Sequence, residues 1–142
     1  MKALSLTQPW ATLVAIGAKR IERRSWSTPY RGPLAIHAAK NFPRDCKELC
    51  FVPPFRAALA GGGIRRISDL PLGSIIATCT LFDCQKTDFL ASQIGIEEAD
   101  FGNYAFGRFG FLLRDVAPLE IPITVKGALG LWEWARVREY PV

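Results

Sequence analysis

Histidine is almost absent from this 142-residue sequence, which contains only His37. Its four cysteines, Cys46, Cys50, Cys79 and Cys84, include no C-x-x-C pair. Structural zinc sites draw on closer thiolate and imidazole pairs than these, so no metal or other cofactor is expected. Reduced, mostly buried thiols fit the composition better. Long apolar runs are missing too. Segments 13–16 and 70–79 are short or broken by Pro71, Gly73, Ser74 and Thr78; neither approaches the roughly 20 residues that span a bilayer. The opening residues lack the continuous apolar stretch of a signal peptide, and there is no internal repeat, low-complexity tract or charged tail. With 49% hydrophobic and 22% charged residues the chain is not disordered. These absences lead to an expectation of one cytoplasmic domain over residues 1–142, with no membrane partner. No oligomeric state is assigned.

What is present is an uneven charge. Residues 1–66 hold twelve Lys or Arg against three acids (Glu22, Asp45, Glu48), a balance of +9. Residues 67–142 hold six against ten, a balance of −4. Such asymmetry points to one face that attracts phosphates, although any single arginine here is as readily a solvated surface residue.

The pattern along the chain predicts a mixed fold. A short strand over 3–6 leads to Gln8-Pro9-Trp10, which opens a helix because proline's missing N–H costs nothing in a first turn. Trp10, Leu13, Val14 and Gly17 follow at helical spacing, and Gly17 is the expected left-handed stop. Residues 20–26 read as a strand and 27–32 as a turn. Residues 34–38 form a strand with Leu34, Ile36 and Ala38 on one side and Ala35 and His37 on the other. Helical turns are expected over 43–49 and 55–60. The strand over 74–83 is apolar at both parities, so both its faces should be covered. On parity alone, Cys79 and Cys84 should point to opposite sides. Residues 87–100 read as acidic helical pieces, 104–113 and 121–125 as strands, and 127–135, with Leu129, Leu131, Trp132 and Trp134, as the segment that closes the core. The expected fold class is therefore α+β: a small β-barrel of about five to seven strands with two or three inserted helices.

From Gly17 the sequence reads Gly-Ala-Lys-Arg-Ile-Glu-Arg-Arg. This resembles the ASCH domain signature G-x-K-x-x-E-x-R, met at Gly17, Lys19, Glu22 and Arg24. The preceding Ser5-Leu6-Thr7-Gln8-Pro9-Trp10-Ala11 is similar to the S-x-x-Q-P-[WY]-A segment of many members. Arg24-Ser25-Trp26, Thr28-Pro29, Arg31-Gly32, Gly73 to Ala77 and Asp83-Cys84 resemble the C-terminal ASCH domain of activating signal cointegrator proteins. Pro122-Ile123 with Gly127, Gly130, Leu131 and Trp132 resemble the ending of bacterial relatives. The resemblance covers nearly the whole chain and is weakest over 41–70. It implies a PUA-like barrel with a cleft beside the helix and the signature strand, where nucleic acid is the usual proposed partner.

The residues of this stretch suit such a role on chemical grounds. Glu22 and Arg24 share strand parity and should face one way. Lys19, at the turn, offers a compact charge for a phosphate or carbonyl oxygen, and Arg24 a planar fork; the plainer alternative is a structural ion pair beside a surface lysine. Trp26, in a polar loop, is the better base-stacking candidate, whereas Trp10 has helical neighbours that favour the core. Gln8 at the helix start could read a base edge. Ser25 lies near the pocket in sequence without a general base of its own. His37 reads as a surface histidine more readily than as a catalyst.

The candidate ligand-binding set is thus Gln8, Trp10, Lys19, Glu22, Arg24, Ser25 and Trp26, with RNA, other nucleic acid or a nucleoside-like molecule as partner. An enzymatic alternative remains. The amidohydrolase branch of the superfamily, which deacetylates acetylcytidine, carries a threonine nucleophile where this chain has Glu22. It also uses the lysine, and a later acid that Glu97, Glu98 or Asp100 could mimic. Glu22 cannot serve as a hydroxyl nucleophile, but a Lys19–Glu22 pair could act as acid and base in ribonuclease-like cleavage.

Overall fold

Backbone hydrogen bonding sorts the chain into one sheet with short helices laid between its strands. The computed structural model describes residues 1–90, 101 and 108–134. In chain order the elements are β1 (Lys2–Leu6), α1 (Trp10–Ala15), β2 (Ile21–Arg24), β3 (Gly32–Ala38), α2 (Arg44–Leu49), α3 (Phe55–Gly61), a 3-10 turn (Ile67–Asp69), β4 (Ser74–Lys86), α4 (Thr87–Leu90), β5 (Phe109–Thr124) and β6 (Leu131–Glu133). The six strands lie in the order β2-β5-β4-β3-β1-β6 and curl into a half-barrel. β1 and β3 run parallel and every other pair antiparallel. This is the expected α+β, barrel-like architecture, with four short helices among the described residues.

The stop at Gly17 takes the expected form. Its φ is +81°, a value glycine adopts without a Cβ clash. The Ala18 amide donates back to Leu13 O at 3.0 Å and the Gly17 amide to Val14 O at 3.0 Å. These bonds satisfy carbonyls that the end of α1 would leave open. The chain then turns sharply into β2, which places the signature residues between α1 and the sheet.

Both faces of β4 are covered over Ser74–Ala77, as its double-parity apolar pattern predicts; farther along, one face opens, with Thr78 and Thr80 half-buried and Phe82 exposed. Ala77, Cys79 and Leu81 join Leu4, Leu6, Val14, Leu34, Ile36 and Phe111 in the main core under α1. Ile75 joins Ala3, Ala35 and Trp134 on the other side. A third cluster, around Leu13, Phe55, Leu59 and Phe101, fastens α3 to α1.

Several expectations need correction. Residues 121–125 are not a separate strand: β5 continues through Thr124, bent by register shifts against β4. Pro118 and Pro122 are tolerated within it because β2 pairs only as far as Leu112, so the outer edge beyond has no ladder to break among the described residues. Register shifts at Thr78/Thr80 and Leu81/Asp83 also reset side-chain parity. Cys84 consequently packs against the same core as Cys79 and not on the opposite side. His37 is buried, not a surface residue. Leu129 is 98% exposed, so closure of the core falls to Leu131, Trp132 and Trp134 without it. Of the acidic segment 87–100 only α4 is described, and 91–100 lies outside the described residues, as do 104–107 of the expected strand and Ala135. Among the described residues no helix is long and apolar enough to cross a membrane.

All four cysteines are free thiols. Burial pushes the Cys79 thiol up to about 12, and burial likewise raises Cys46 and Cys50. Since the thiolate is the nucleophile, iodoacetamide at mildly alkaline pH is expected to spare these three in the native protein and to alkylate all four in denaturant. Mass spectrometry of the two samples checks this. Prompt native modification of Cys79 would mean that the sheet opens easily.

Candidate functional site

The end of β1, the first turn of α1 and β2 enclose a cleft of about 170 Å³ lined by Ser5, Leu6, Thr7, Trp10, Glu22, Arg23 and Arg24. Local sequence explains the enclosure. Gln8-Pro9 turns the chain from β1 into α1, and the Gly17 stop returns it as β2, so Trp10 and Glu22 meet from two sides. The Arg24 Nη2 donates to Ser5 O at 2.7 Å and ties β2 to β1. Its Nε is buried with no hydrogen-bond partner among the described residues. That leaves one donor of the guanidinium unmet beside the cleft.

Of the seven residues expected from sequence, the cleft lining brings together Trp10, Glu22 and Arg24. Lys19 does not join them. It is 0% exposed; its ammonium donates to Ile21 O and lies 3.8 Å from Glu22 Oε1. The turn after Gly17 sends this side chain inward, so the accessible ammonium expected at the turn is not present. Glu22 Oε1 also accepts from the Arg23 amide at 2.9 Å. The Lys19–Glu22 pair is therefore an inner ion pair with backbone support, beneath the cleft and not across it.

Gln8 is also 0% exposed. Its Oε1 accepts from the Thr12 amide at 3.0 Å, and its Nε2 donates to Thr12 Oγ1 at 2.7 Å and to Pro71 O at 2.9 Å. The amide expected to read a base edge is instead used to cap α1 and to hold the chain just before β4. Trp10 is divided between roles. Its indole N–H donates to Phe101 O at 2.5 Å and its ring meets Phe55 edge-on at 6.1 Å, while another part lines the cleft. Trp26 packs its ring against Phe111 at 5.1 Å, which uses part of the surface expected to stack on a base. Ser25 is exposed and outside the cleft lining. Glu97, Glu98 and Asp100 lie outside the described residues. Among the described residues no cluster of acids, His and Cys could hold a metal ion.

Sequence reasoning passed over a second, larger cleft of about 580 Å³ between α3 and the 3-10 turn. Arg56, Arg65 and Arg66 line it above a floor of Cys50, Leu59 and Leu70. The other exposed cations of the first half include several with partners: Lys2 with Glu133 at 2.7 Å, Arg31 with Asp83 at 3.6 Å and Arg44 with Glu48 at 3.3 Å. The three cleft arginines have no such ion pair among the described residues. Asp69 lies nearby, but it is spent on the chain. The Arg65 and Arg66 amides donate to it at 3.0 and 3.1 Å, and these bonds hold its carboxyl below the usual carboxylate range. Phe51, 61% exposed, stands on the lip of the same cleft. Phe55 of α3 packs on Trp10, so the helix that lines the second cleft lies against the helix whose first turn lines the first. The signal for the second was the Arg65-Arg66 pair after three glycines, in the stretch where the sequence pattern was weakest.

Comparison with known proteins agrees with this geometry. The ASCH domain family matches residues 4–119. Human activating signal cointegrator 1 is 31% identical over 132 residues and the mouse protein 29% over 130, each match covering 92% of this chain. The chain spans only 22% of the length of these relatives. Among solved structures, ASCH from Zymomonas mobilis superposes with a TM-score of 0.59 at 20% identity, covering 96% of this chain and 87% of that one. A substituted form of the same bacterial protein gives 0.56 at 18% identity, covering 96% and 90%. At such identity these two matches speak for the fold. With the signature, the half-barrel and the family match over most of its length, the chain belongs to the ASCH domain family.

Proposed function

We propose that this chain is a single ASCH domain over residues 1–142 that binds single-stranded nucleic acid, with RNA as the favoured form. The observation that carries the reading is the cleft of Arg56, Arg65 and Arg66, guanidinium groups with no carboxylate at ion-pair distance among the described residues, beside the exposed ring of Phe51. Guanidinium groups suit phosphate oxygens, and an exposed aromatic ring gives a base a surface to stack on. The signature cleft supplies the second contact, through Trp10, Glu22 and Arg24, with the unmet Nε of Arg24 as a donor for a ligand oxygen. Lys19 acts there through Glu22, fixing its carboxylate from below, rather than by touching the ligand.

The alternative with Lys19 and Glu22 as acid and base in cleavage is weakened by the burial of the lysine. Proton transfer needs a group within hydrogen-bond reach of the substrate, and this ammonium faces Ile21 O. The deciding experiment is fluorescence anisotropy of labelled single- and double-stranded RNA and DNA of equal length, with the same mixtures run on a denaturing gel. Tightest binding is expected for single-stranded RNA, with the oligonucleotide intact. No binding to any of the four would overturn the reading, and cut RNA would restore the catalytic alternative.

A further inference from the structure

A third cavity, about 790 Å³, opens beside Ser5. The nucleic-acid reading makes no use of it. On its floor are Ser5 of β1 and His37 of β3, paired in the parallel register. Leu72, Val125 and Leu129 wall it, and Lys40 and Lys126 stand at its rim.

The hydrogen bonds around His37 fix its tautomer. Nε2 lies 2.8 Å from Val125 O, which can only accept, so in the neutral ring Nε2 carries the proton. Nδ1 is then a bare lone pair. Ser5 Oγ stands 2.9 Å from it and donates its hydroxyl proton there. Trp132 Nε1–H donates to the same serine oxygen at 3.1 Å, and the indole meets the imidazole edge-on at 5.5 Å. Gly127 lies against the pair: a Cβ at that position would sit 2.6 Å from both His37 Cε1 and Ser5 Oγ. Only glycine lets the chain pass without pushing the two apart.

A hydroxyl, a base in a fixed tautomer and a third group that orients the base form the arrangement that nucleophilic catalysis requires. A purely structural network of this kind is served best by closure in the core. Here both residues line a cavity large enough for a small-molecule body. We propose that Ser5 is the nucleophile and His37 the general base of an ester-hydrolysing site, whose substrate is a small ester with an apolar body and an anionic group held by Lys40 and Lys126.

The step balances without a further reagent. Ser5 Oγ bonds to the acyl carbon as its proton passes to His37 Nδ1, the ester C–O bond breaks, and the alcohol departs with that proton. Water then attacks the acyl-serine, His37 takes the water's proton and returns it to Ser5 Oγ, and the acid leaves. The Val125 carbonyl holds the ring throughout, and the Trp132 N–H holds the serine oxygen that attacks. Ser5 is the one residue the cavity shares with the signature cleft, so this inference neither needs nor excludes nucleic-acid binding.

The test is covalent. The native protein is incubated with a fluorophosphonate and the adduct mapped by peptide mass spectrometry. One adduct on Ser5 is expected, absent in Ser5→Ala and formed about 10²–10⁴-fold more slowly in His37→Gln. p-Nitrophenyl hemisuccinate should be hydrolysed faster than p-nitrophenyl butyrate, and that ratio should fall toward one when Lys40 and Lys126 are both changed to Ala. No Ser5 adduct on the folded native protein at saturating probe overturns the proposal, as does labelling at equal rates in native and His37→Gln protein. If His37→Gln fails to fold, the native-protein adduct and its loss in Ser5→Ala decide alone.

Discussion

Glu22→Gln is expected to lower the folding stability by about 3–5 kcal/mol, the usual effect of removing one partner from a desolvated ion pair. The side chains of Lys19 and Glu22 are 0% and 10% exposed, so solvent screens the pair poorly. The substitution preserves shape and changes charge, which separates electrostatics from packing. Glu22 Oε1 also accepts the Arg23 amide at 2.9 Å, and the Gln carbonyl can keep that bond. The loss therefore reports the charge attraction between Glu22 and Lys19, whose ammonium keeps its bond to Ile21 O. Denaturant titration of parent and variant measures it as a shift in midpoint at unchanged slope. The double variant Lys19→Met, Glu22→Leu should recover much of the loss, because an apolar pair of similar volume often matches a buried ion pair. A decrease below about 1 kcal/mol for Glu22→Gln would put the pair in the class of solvated surface bridges. The signature would then mark a turn and nothing more.

The same pair shows where sequence reasoning succeeds and where it stops. Gly17 was legible because a helix that ends in a left-handed residue leaves one favoured candidate. The strand that became β4 was legible because both parities are apolar. Burial depth of the polar residues was not, because it depends on partners distant in the chain. Gln8 looked like a free reader of bases until its amide met Pro71 O, 63 residues away. His37 looked like a surface residue for the same reason, since its partners are Ser5 and Val125, 32 and 88 positions away. Cys84 was misassigned by a different cause: strand parity survives only while the register does, and β4 shifts register before reaching it. The signature is thus a reliable marker of the fold and an incomplete map of the surface. Two of its four fixed residues are charged groups turned against each other, and the arginines that line the second cleft lie on α3 and just before the 3-10 turn, where no family motif pointed.

That displacement leads to a quantitative expectation for salt. If Arg56, Arg65 and Arg66 each neutralise one phosphate of a single strand, the plot of log affinity against log salt concentration should have a slope near −2, from about −0.7 per contact. Between roughly 50 and 200 mM salt, affinity for single-stranded RNA should then fall about 20-fold. Changing all three arginines to Ala should flatten the slope by about 2 while leaving stability nearly intact, because exposed substitutions of this kind usually change it by less than about 0.5 kcal/mol each. Anisotropy titrations at four salt concentrations on both proteins give both slopes. A parent slope near zero would point to a neutral ligand and remove phosphates from the account. A slope that persists in the triple variant would return the phosphate contacts to the signature cleft, where Arg24 has a donor to spare. Arg24 should then be the residue whose loss flattens the line, because a cation that holds a phosphate lowers affinity and slope together, whereas one that only holds the fold lowers stability and leaves the slope unchanged.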